Sequence, residues 1–243
     1  MQTSTTQDAL LGGRVRLLQP ARGYRVAVDA VLLAAATAPA AGETVLDLGA
    51  GVGAVGLCLA ARLANCRVVG IELQPDLAAL AGRNASANGM ADRVRTIVHD
   101  IARPLPAELG PFDCVATNPP YLAAAVADPS PHLGKALATV ESSADLMRWL
   151  AVATAALKPG GTLTVIHRSD RLDEIVDGLA RLGWGDLALR RLPPARRVLL
   201  RARHGRGRPR SLREAPPLVL HEADGRYTEE AEAILRHAAP LAF

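Results

Sequence analysis

The run Asn118-Pro119-Pro120-Tyr121 gathers a side-chain amide, backbone carbonyls and an aromatic ring at one point of the chain. It follows an apolar stretch, Phe112–Thr117, that reads as a buried strand. Pro119 and Pro120 cannot continue a strand ladder, so the chain must turn out of the sheet there. That puts the turn at the carboxyl end of a strand, where open α/β sheets bind ligands. Asn118 and the Pro119 carbonyl can accept hydrogen bonds from a planar NH2 group, and Tyr121 can stack on the flat system that carries it. An Asn-Pro pair alone marks only a turn, so the rest of the chain has to decide whether this one is a site.

A second group of residues supplies a cofactor end. Asp47-Leu48-Gly49-Ala50-Gly51-Val52-Gly53 follows a β-branched, apolar run and leads into an Ala- and Leu-rich helix. Glycines at such a turn let the backbone approach a ligand at the helix N-terminus. Gly51, Gly53 and Gly56 also satisfy GxGxxG, with Glu72 placed 21 residues after Gly51, so a dinucleotide site is one reading. In either case Glu72 ends the second strand and can accept from ribose hydroxyls. Two carboxylates favour a different ligand. Asp47, two residues before the first glycine, would repel a pyrophosphate and attract an ammonium. Asp100 ends the third strand and can accept from an adenine amino group, with the Ile101 N–H beside it. The expected cofactor is S-adenosylmethionine, held by Asp47, Gly49, Gly51, Gly53, Glu72, Leu73, Asp100, Ile101 and Asn118.

The series DLGAGVG, Glu72, Asp100, NPPY is similar to the motifs of class I S-adenosylmethionine-dependent methyltransferases, and NPPY is the form met in amino-group methylators. The chain resembles most the bacterial tRNA1(Val) (adenine-N6)-methyltransferase family. The residues that carry this are Gly23-Tyr24-Arg25, Asp29-Ala30-Val31-Leu32-Leu33, Glu72-Leu73-Gln74-Pro75, Leu157-Lys158-Pro159-Gly160-Gly161, and a tail with Leu218-Val219-Leu220-His221-Glu222 and Tyr227-Thr228. The resemblance covers roughly residues 12–237. The resemblance implies methylation of N6 of the adenine beside the anticodon of a valine tRNA. One departure is Leu122, where the family often has a second aromatic, so base stacking would rest on Tyr121 alone.

The chemistry expected of the turn needs neither a metal nor a strong base. An exocyclic amine is a poor nucleophile because its lone pair is delocalised into the ring. Acceptors at Asn118 and Pro119 would hold its hydrogens and favour a pyramidal nitrogen. An adenine would have to be unstacked to reach the turn. Other readings remain open: a release factor glutamine N5-methyltransferase, whose substrate carboxamide presents the same NH2, a non-catalytic RNA-binding protein with a methyltransferase fold, and an NAD-dependent reductase.

The elements that must position these residues follow from periodicity. Strands at residues 44–48, 67–71, 93–98, 112–117 and 162–167 alternate with helices at 53–63, 75–88, 143–157 and 170–182. This predicts an α/β fold: a Rossmann-like, mostly parallel seven-stranded sheet with helices on both faces. Residues 186–191 and 196–203 read as an antiparallel C-terminal hairpin. The whole chain, 1–243, is expected to be one methyltransferase domain. Residues 1–42 would be an N-terminal extension with short strands and one helix, which Asp29 would cap over residues 30–38; residues 43–243 would be the catalytic core. Residues 122–142 form a long Pro- and Gly-containing loop beside the turn, placed to act as a substrate lid.

Composition narrows the class. The chain has 243 residues, 49% of them hydrophobic and 3% aromatic, so the core must be built from Ala, Val and Leu. The formal charge is +4, yet the ten arginines between Arg190 and Arg213 are accompanied by no Asp or Glu. A basic segment on an otherwise acidic body points to a polyanionic partner. Arg196, Arg197, Arg201, Arg203, Arg206, Arg208 and Arg210 are the expected RNA contacts, with Arg197, Arg201 and Arg203 on one strand face. Three cysteines without CxxC spacing and six histidines without ligand spacing suggest no metal. With no secretory signal and no apolar run long enough to span a bilayer, the expected location is the cytoplasm.

Overall fold

The computed structural model describes residues 4–23, 25–121, 144–204 and 211–243. The chain opens with an antiparallel pair, β1 (Thr5–Leu10) and β2 (Val15–Pro20), followed by helix α1 (Val28–Ala36). Asn84, on a helix far along the chain, holds β2 in place. Its buried amide donates to the Leu18 and Val52 carbonyls at 2.9 and 3.0 Å and accepts from the Leu18 N–H at 2.7 Å. Both N–H donors and the oxygen of this fully buried side chain are thus engaged, as burial requires.

The alternating core then runs β3 (Thr44–Leu48), α2 (Ala54–Arg62), β4 (Arg67–Glu72), α3 (Pro75–Ala87), β5 (Val94–Val98) and β6 (Phe112–Thr117). Pro75 sits in the first turn of α3, where its missing N–H leaves no bond unmade. After residue 143 come α4 (Leu146–Ala156), β7 (Leu157–Arg168), α5 (Leu172–Arg181), β8 (Asp186–Arg191), β9 (Arg197–Arg203), β10 (Ser211–Glu214) and α6 (Glu229–His237). The Asp145 carboxylate caps α4 by accepting from the Arg148 N–H at 2.8 Å, and Thr228 caps α6 in the same way.

The main sheet has the order β10-β8-β9-β7-β6-β3-β4-β5. Strands β3, β4, β5, β6 and β7 are parallel, β9 runs antiparallel to β7 and β8, and β10 lies parallel to β8. The expected parallel sheet and antiparallel hairpin are present, with eight strands in place of seven. The extra one, β10, is short and exposed throughout, so neither length nor apolar pattern announced it. Leu157 and the glycines after it also extend β7 beyond the expected strand, with a register shift opposite Phe112 and Cys114.

Alternating residues divide between two apolar layers. Val45 faces Leu32, Leu57 and Leu80 of α1, α2 and α3, while Leu46 and Leu48 face Leu150 of α4 and Ile175 of α5. No helix among the described residues is long and apolar enough to cross a membrane. From β3 the chain winds outward through β4 and β5, then returns to β6 on the other side of β3. The strand order reverses between β3 and β6, and a crevice opens at their carboxyl ends.

Candidate active site

The crevice is walled by the ends of four neighbouring strands. At the end of β3, Asp47 is 2% exposed and its Oδ2 has no hydrogen-bond partner among the described residues. Burial first, and the nearby Glu72 carboxylate second, push its pKa up to about 7. Glu72, at the end of β4, is 7% exposed. Its two oxygens accept from the Gly51 and Gln74 N–H groups at 2.8 and 2.9 Å, and burial raises its pKa despite these bonds. Asp100, Ile101 and Leu73 also line the crevice. Asp47, Glu72 and Asp100 therefore stand at the ends of three adjacent strands, as expected. Asp100 Oδ1 accepts from the Ala102 N–H at 2.9 Å, so this carboxylate also braces its own turn.

The glycines divide by role. Gly49 has φ +87°, its N–H donates to the Ile71 carbonyl at 2.9 Å, and a Cβ there would lie 2.6 Å from the Trp149 ring. Only glycine meets both conditions. Gly51 lines the crevice, whereas Gly53 does not. With φ +84° at the N-cap of α2, Gly53 lets that helix lie against Ala81 of α3, so it serves packing instead of ligand approach.

On the other wall, β6 delivers the proline turn. The Thr117 hydroxyl donates to the Leu48 carbonyl at 2.8 Å, fastening the Asn118 turn directly beside the Gly49 turn. Asn118, Pro120 and Tyr121 line the crevice, and Pro119, between Asn118 and Pro120 in the turn, is buried. Behind the turn lies His167 at the end of β7, fully buried, with Nε2 3.3 Å from the Pro120 carbonyl. Burial lowers its pKa to about 4, so it is neutral at pH 7 and can donate that hydrogen bond. Tyr121 meets His167 edge to face at 5.5 Å, and the Arg197 guanidinium lies over the Tyr121 ring at 4.4 Å. The Tyr121 Oη is 2.7 Å from Asp29 Oδ2 and 2.8 Å from Asn118 Oδ1, two acceptors for its one proton. Asp29 Oδ2 also accepts from Arg197 Nε at 3.0 Å.

Asp29 is therefore not the cap of α1. The N-cap is Ala27, without a side-chain bond, and Asp29 sits in the first turn with its carboxylate aimed across at β6 and β9. A cap expectation looks only to the nearest N–H groups, and here a phenol and a guanidinium from distant strands take the carboxylate instead.

A family model described as a methyltransferase domain matches residues 45–161. A tRNA1(Val) (adenine(37)-N6)-methyltransferase of Aeromonas hydrophila is 32% identical over 211 residues, covering 84% of this chain and 86% of that protein. The chain belongs to this family. It is an S-adenosylmethionine-dependent methyltransferase. A release factor glutamine methyltransferase of Chlorobaculum tepidum is 37% identical over 81 residues, which is 32% of this chain and 28% of that one. Among solved structures, a predicted O-methyltransferase from Agrobacterium tumefaciens aligns with a TM-score of 0.70 at 27% identity, covering 88% of this chain and 99% of its own. A geranyl diphosphate C-methyltransferase from Streptomyces coelicolor, in complex with S-adenosyl-L-homocysteine, shares the fold at 16% identity, with a TM-score of 0.55 over 73% of this chain and 76% of its own.

For a member of this tRNA methyltransferase family the arginines of the tail are of interest, and the structure does not lay them out as one open ridge. Arg197 turns into the crevice onto Asp29. Arg201 is half-buried, with its guanidinium 4.7 Å from the Phe243 ring centre. Between them Leu199, on the same strand face, is fully buried. The C-terminal segment covers this face: Arg190 bonds the Ala242 carbonyl at 2.7 Å and Glu230 at 2.5 Å. Arg196 and Arg203 are exposed. Arg206, Arg208 and Arg210 lie outside the described residues, as do Tyr24, Leu122 and the expected lid at 122–142. Trp149, His99 and His167 were not foreseen. Each is a lone ring in an apolar or helical context, and only the fold brings Trp149 to Gly49 and leaves His99 Nε2 buried beside the crevice without a partner among the described residues.

Proposed function

We propose that this chain transfers a methyl group to N6 of an adenine in tRNA. The observation that carries the reading is the fastening of the Asn118 turn beside the Gly49 turn through Thr117 and Leu48. A donor at the glycine turn and an amine at the proline turn would thereby share one crevice. The residues fit S-adenosylmethionine. The buried Asp47 Oδ2 lacks a donor that an ammonium would provide, Glu72 can accept from ribose hydroxyls, and Asp100 with the Ile101 N–H can meet an adenine edge. When bound, this cofactor supplies a methyl group already activated by its sulfonium charge.

The chain's own part is positioning. Asn118 Oδ1 and the Pro119 carbonyl accept from the two hydrogens of the substrate NH2 and hold the nitrogen lone pair towards the cofactor side. His167 engages the Pro120 carbonyl and keeps the turn rigid. Tyr121 and the Arg197 plane above it offer flat surfaces against which an unstacked base can lie. Arg196 and Arg203 contact RNA phosphates, and Arg206, Arg208 and Arg210 are proposed to join them. The similarity to a tRNA methyltransferase over 84% of this chain supports RNA over a protein glutamine, since two release factor glutamine methyltransferases match 32% and 58% of it.

Tritiated methyl transfer to bulk tRNA, rRNA and a release factor, followed by nucleoside mass spectrometry, tests this. N6-methyladenosine in tRNA is the expected product. Label in the release factor with none in RNA would move the activity to glutamine.

A further inference from the structure

We propose that Asp29 is a positioning residue that sets which end of the Asn118 amide faces the substrate amine, acting through the Tyr121 hydroxyl. The proposal rests on the amine-methylating reading above and adds to it a device 92 residues away in sequence. Three contacts join four polar groups in a chain: Arg197 Nε at 3.0 Å and Tyr121 Oη at 2.7 Å on Asp29 Oδ2, and Asn118 Oδ1 at 2.8 Å from Tyr121 Oη.

A phenol has one proton and a guanidinium has no acceptor. Asp29 Oδ2 must therefore accept from Arg197. If Tyr121 gave its proton to Asn118, its oxygen would face the carboxylate oxygen at 2.7 Å with no hydrogen between them. The proton therefore goes to Asp29. Burial, with the Asp29 charge behind it, also holds the phenol well above its usual pKa, so the proton stays on Tyr121. The Tyr121 oxygen is left with lone pairs only. Asn118 Oδ1 lies 2.8 Å from it, which sets two acceptors together with no hydrogen between them, and a half-turn of the amide that brings its NH2 to Tyr121 removes this conflict. The two ends of a carboxamide occupy nearly the same space, so this half-turn needs no other movement.

The consequence falls on the crevice. With the Asn118 NH2 committed to Tyr121, Oδ1 is the end presented to the substrate, and an amine needs an acceptor there. The opposite orientation would set NH2 against NH2. Asp29 is 8% exposed and sits on the first turn of α1, so it is held firmly enough to enforce the choice.

Asp29→Ala removes the acceptor that holds the phenol proton, so Tyr121 is free to give it to Asn118, whereas Asp29→Asn would keep an oxygen facing Arg197 Nε and Tyr121 alike. Turnover on tRNA is expected to fall about tenfold, the worth of one aligned hydrogen bond, with S-adenosylmethionine affinity changed by less than about twofold. In a Tyr121→Phe background the phenol is gone, and Asp29→Ala should then add less than about twofold. Equal losses in both backgrounds would overturn the relay and leave Asp29 a merely structural anchor for Arg197. Nuclear Overhauser contacts give a reading that needs no turnover. In the wild-type protein the Asn118 side-chain NH2 protons should show contacts to the Tyr121 ring protons beside the hydroxyl, and their absence overturns the proposal even if Asp29→Ala fails to fold. A wild-type protein that shows these contacts yet methylates neither tRNA nor release factor would refute the proposed function and leave the relay standing.

Discussion

The two walls of the crevice are built on opposite electrostatic plans. On the β3–β4 wall two carboxylates are buried close together, and one of them has an oxygen with no donor among the described residues. On the β6–β7 wall the charged and hydroxyl groups are matched to one another, Tyr121 with Asp29 and Asp29 with Arg197, and His167 meets the Pro120 carbonyl through Nε2 while its buried Nδ1 has no partner among the described residues. The first wall is complete only when a cation arrives. The second is already rigid, as a surface must be if it is to orient a weak nucleophile without reorganising during reaction. Charge is left open where binding is needed, and geometry is closed where direction is needed.

Substitutions can break this contrast. Asn118→Ala should lower turnover by roughly a hundredfold or more, on the scale of losing a preorganised polar partner, while calorimetry shows cofactor affinity nearly intact. A large loss of binding would mean that the two walls are not separable. Asp47→Asn should do the reverse and weaken S-adenosylmethionine binding by roughly tenfold to a hundredfold, the range for a charge-assisted bond. A bound ammonium favours the ionised carboxylate, so wild-type binding near pH 6 should release a proton. Calorimetry in buffers of different ionisation enthalpy would detect this, and Asp47→Asn should abolish it.

The same residue predicts how the ligand-free protein responds to pH. Asp47 keeps its proton up to about pH 7 when folded, against an ordinary value of 3.8. Between those values the folded state binds the extra proton, so this group's effect on stability turns unfavourable as pH rises from about 4 to 7. The loss is on the order of a few kcal/mol. Denaturant titrations of wild type and Asp47→Asn should diverge across that window, with the variant showing the flatter profile. Saturating cofactor should reduce the difference.

Much of this was legible from the sequence because the signals were local. A strand, a glycine turn and a helix read in order, and a double proline after an apolar run forces an exit wherever it occurs. The carboxylates at 47, 72 and 100 were found by their positions at strand ends. Asp29 and Arg197 were legible as residues, though not as a network, and His167 was not singled out at all. Their partners lie on elements far apart in the chain, and periodicity carries no information about which ends meet. The arginines were misleading for a related reason. A count of charge between residues 190 and 213 takes no account of Glu230, the Ala242 carbonyl or Phe243, which engage Arg190 and Arg201 from the C-terminal segment.

The smallest effects test that distinction. Arg196→Glu and Arg203→Glu should each weaken tRNA binding and flatten its salt dependence by about one phosphate contact. Arg201→Ala should leave tRNA affinity unchanged and lower stability by about 0.5–1 kcal/mol through its lost contact with Phe243. A reversed pattern would show that the covered strand face opens on RNA.

The ring of Trp149 lies against Gly49 and borders the crevice, whereas the second of the chain's two tryptophans, Trp184, is 3% exposed and bonded to Thr154 at 3.0 Å. One indole can therefore change its emission as the cleft fills while the other provides a constant background. The enzyme carries its own fluorescent gauge of cofactor occupancy, readable without a label and before any acceptor has been identified.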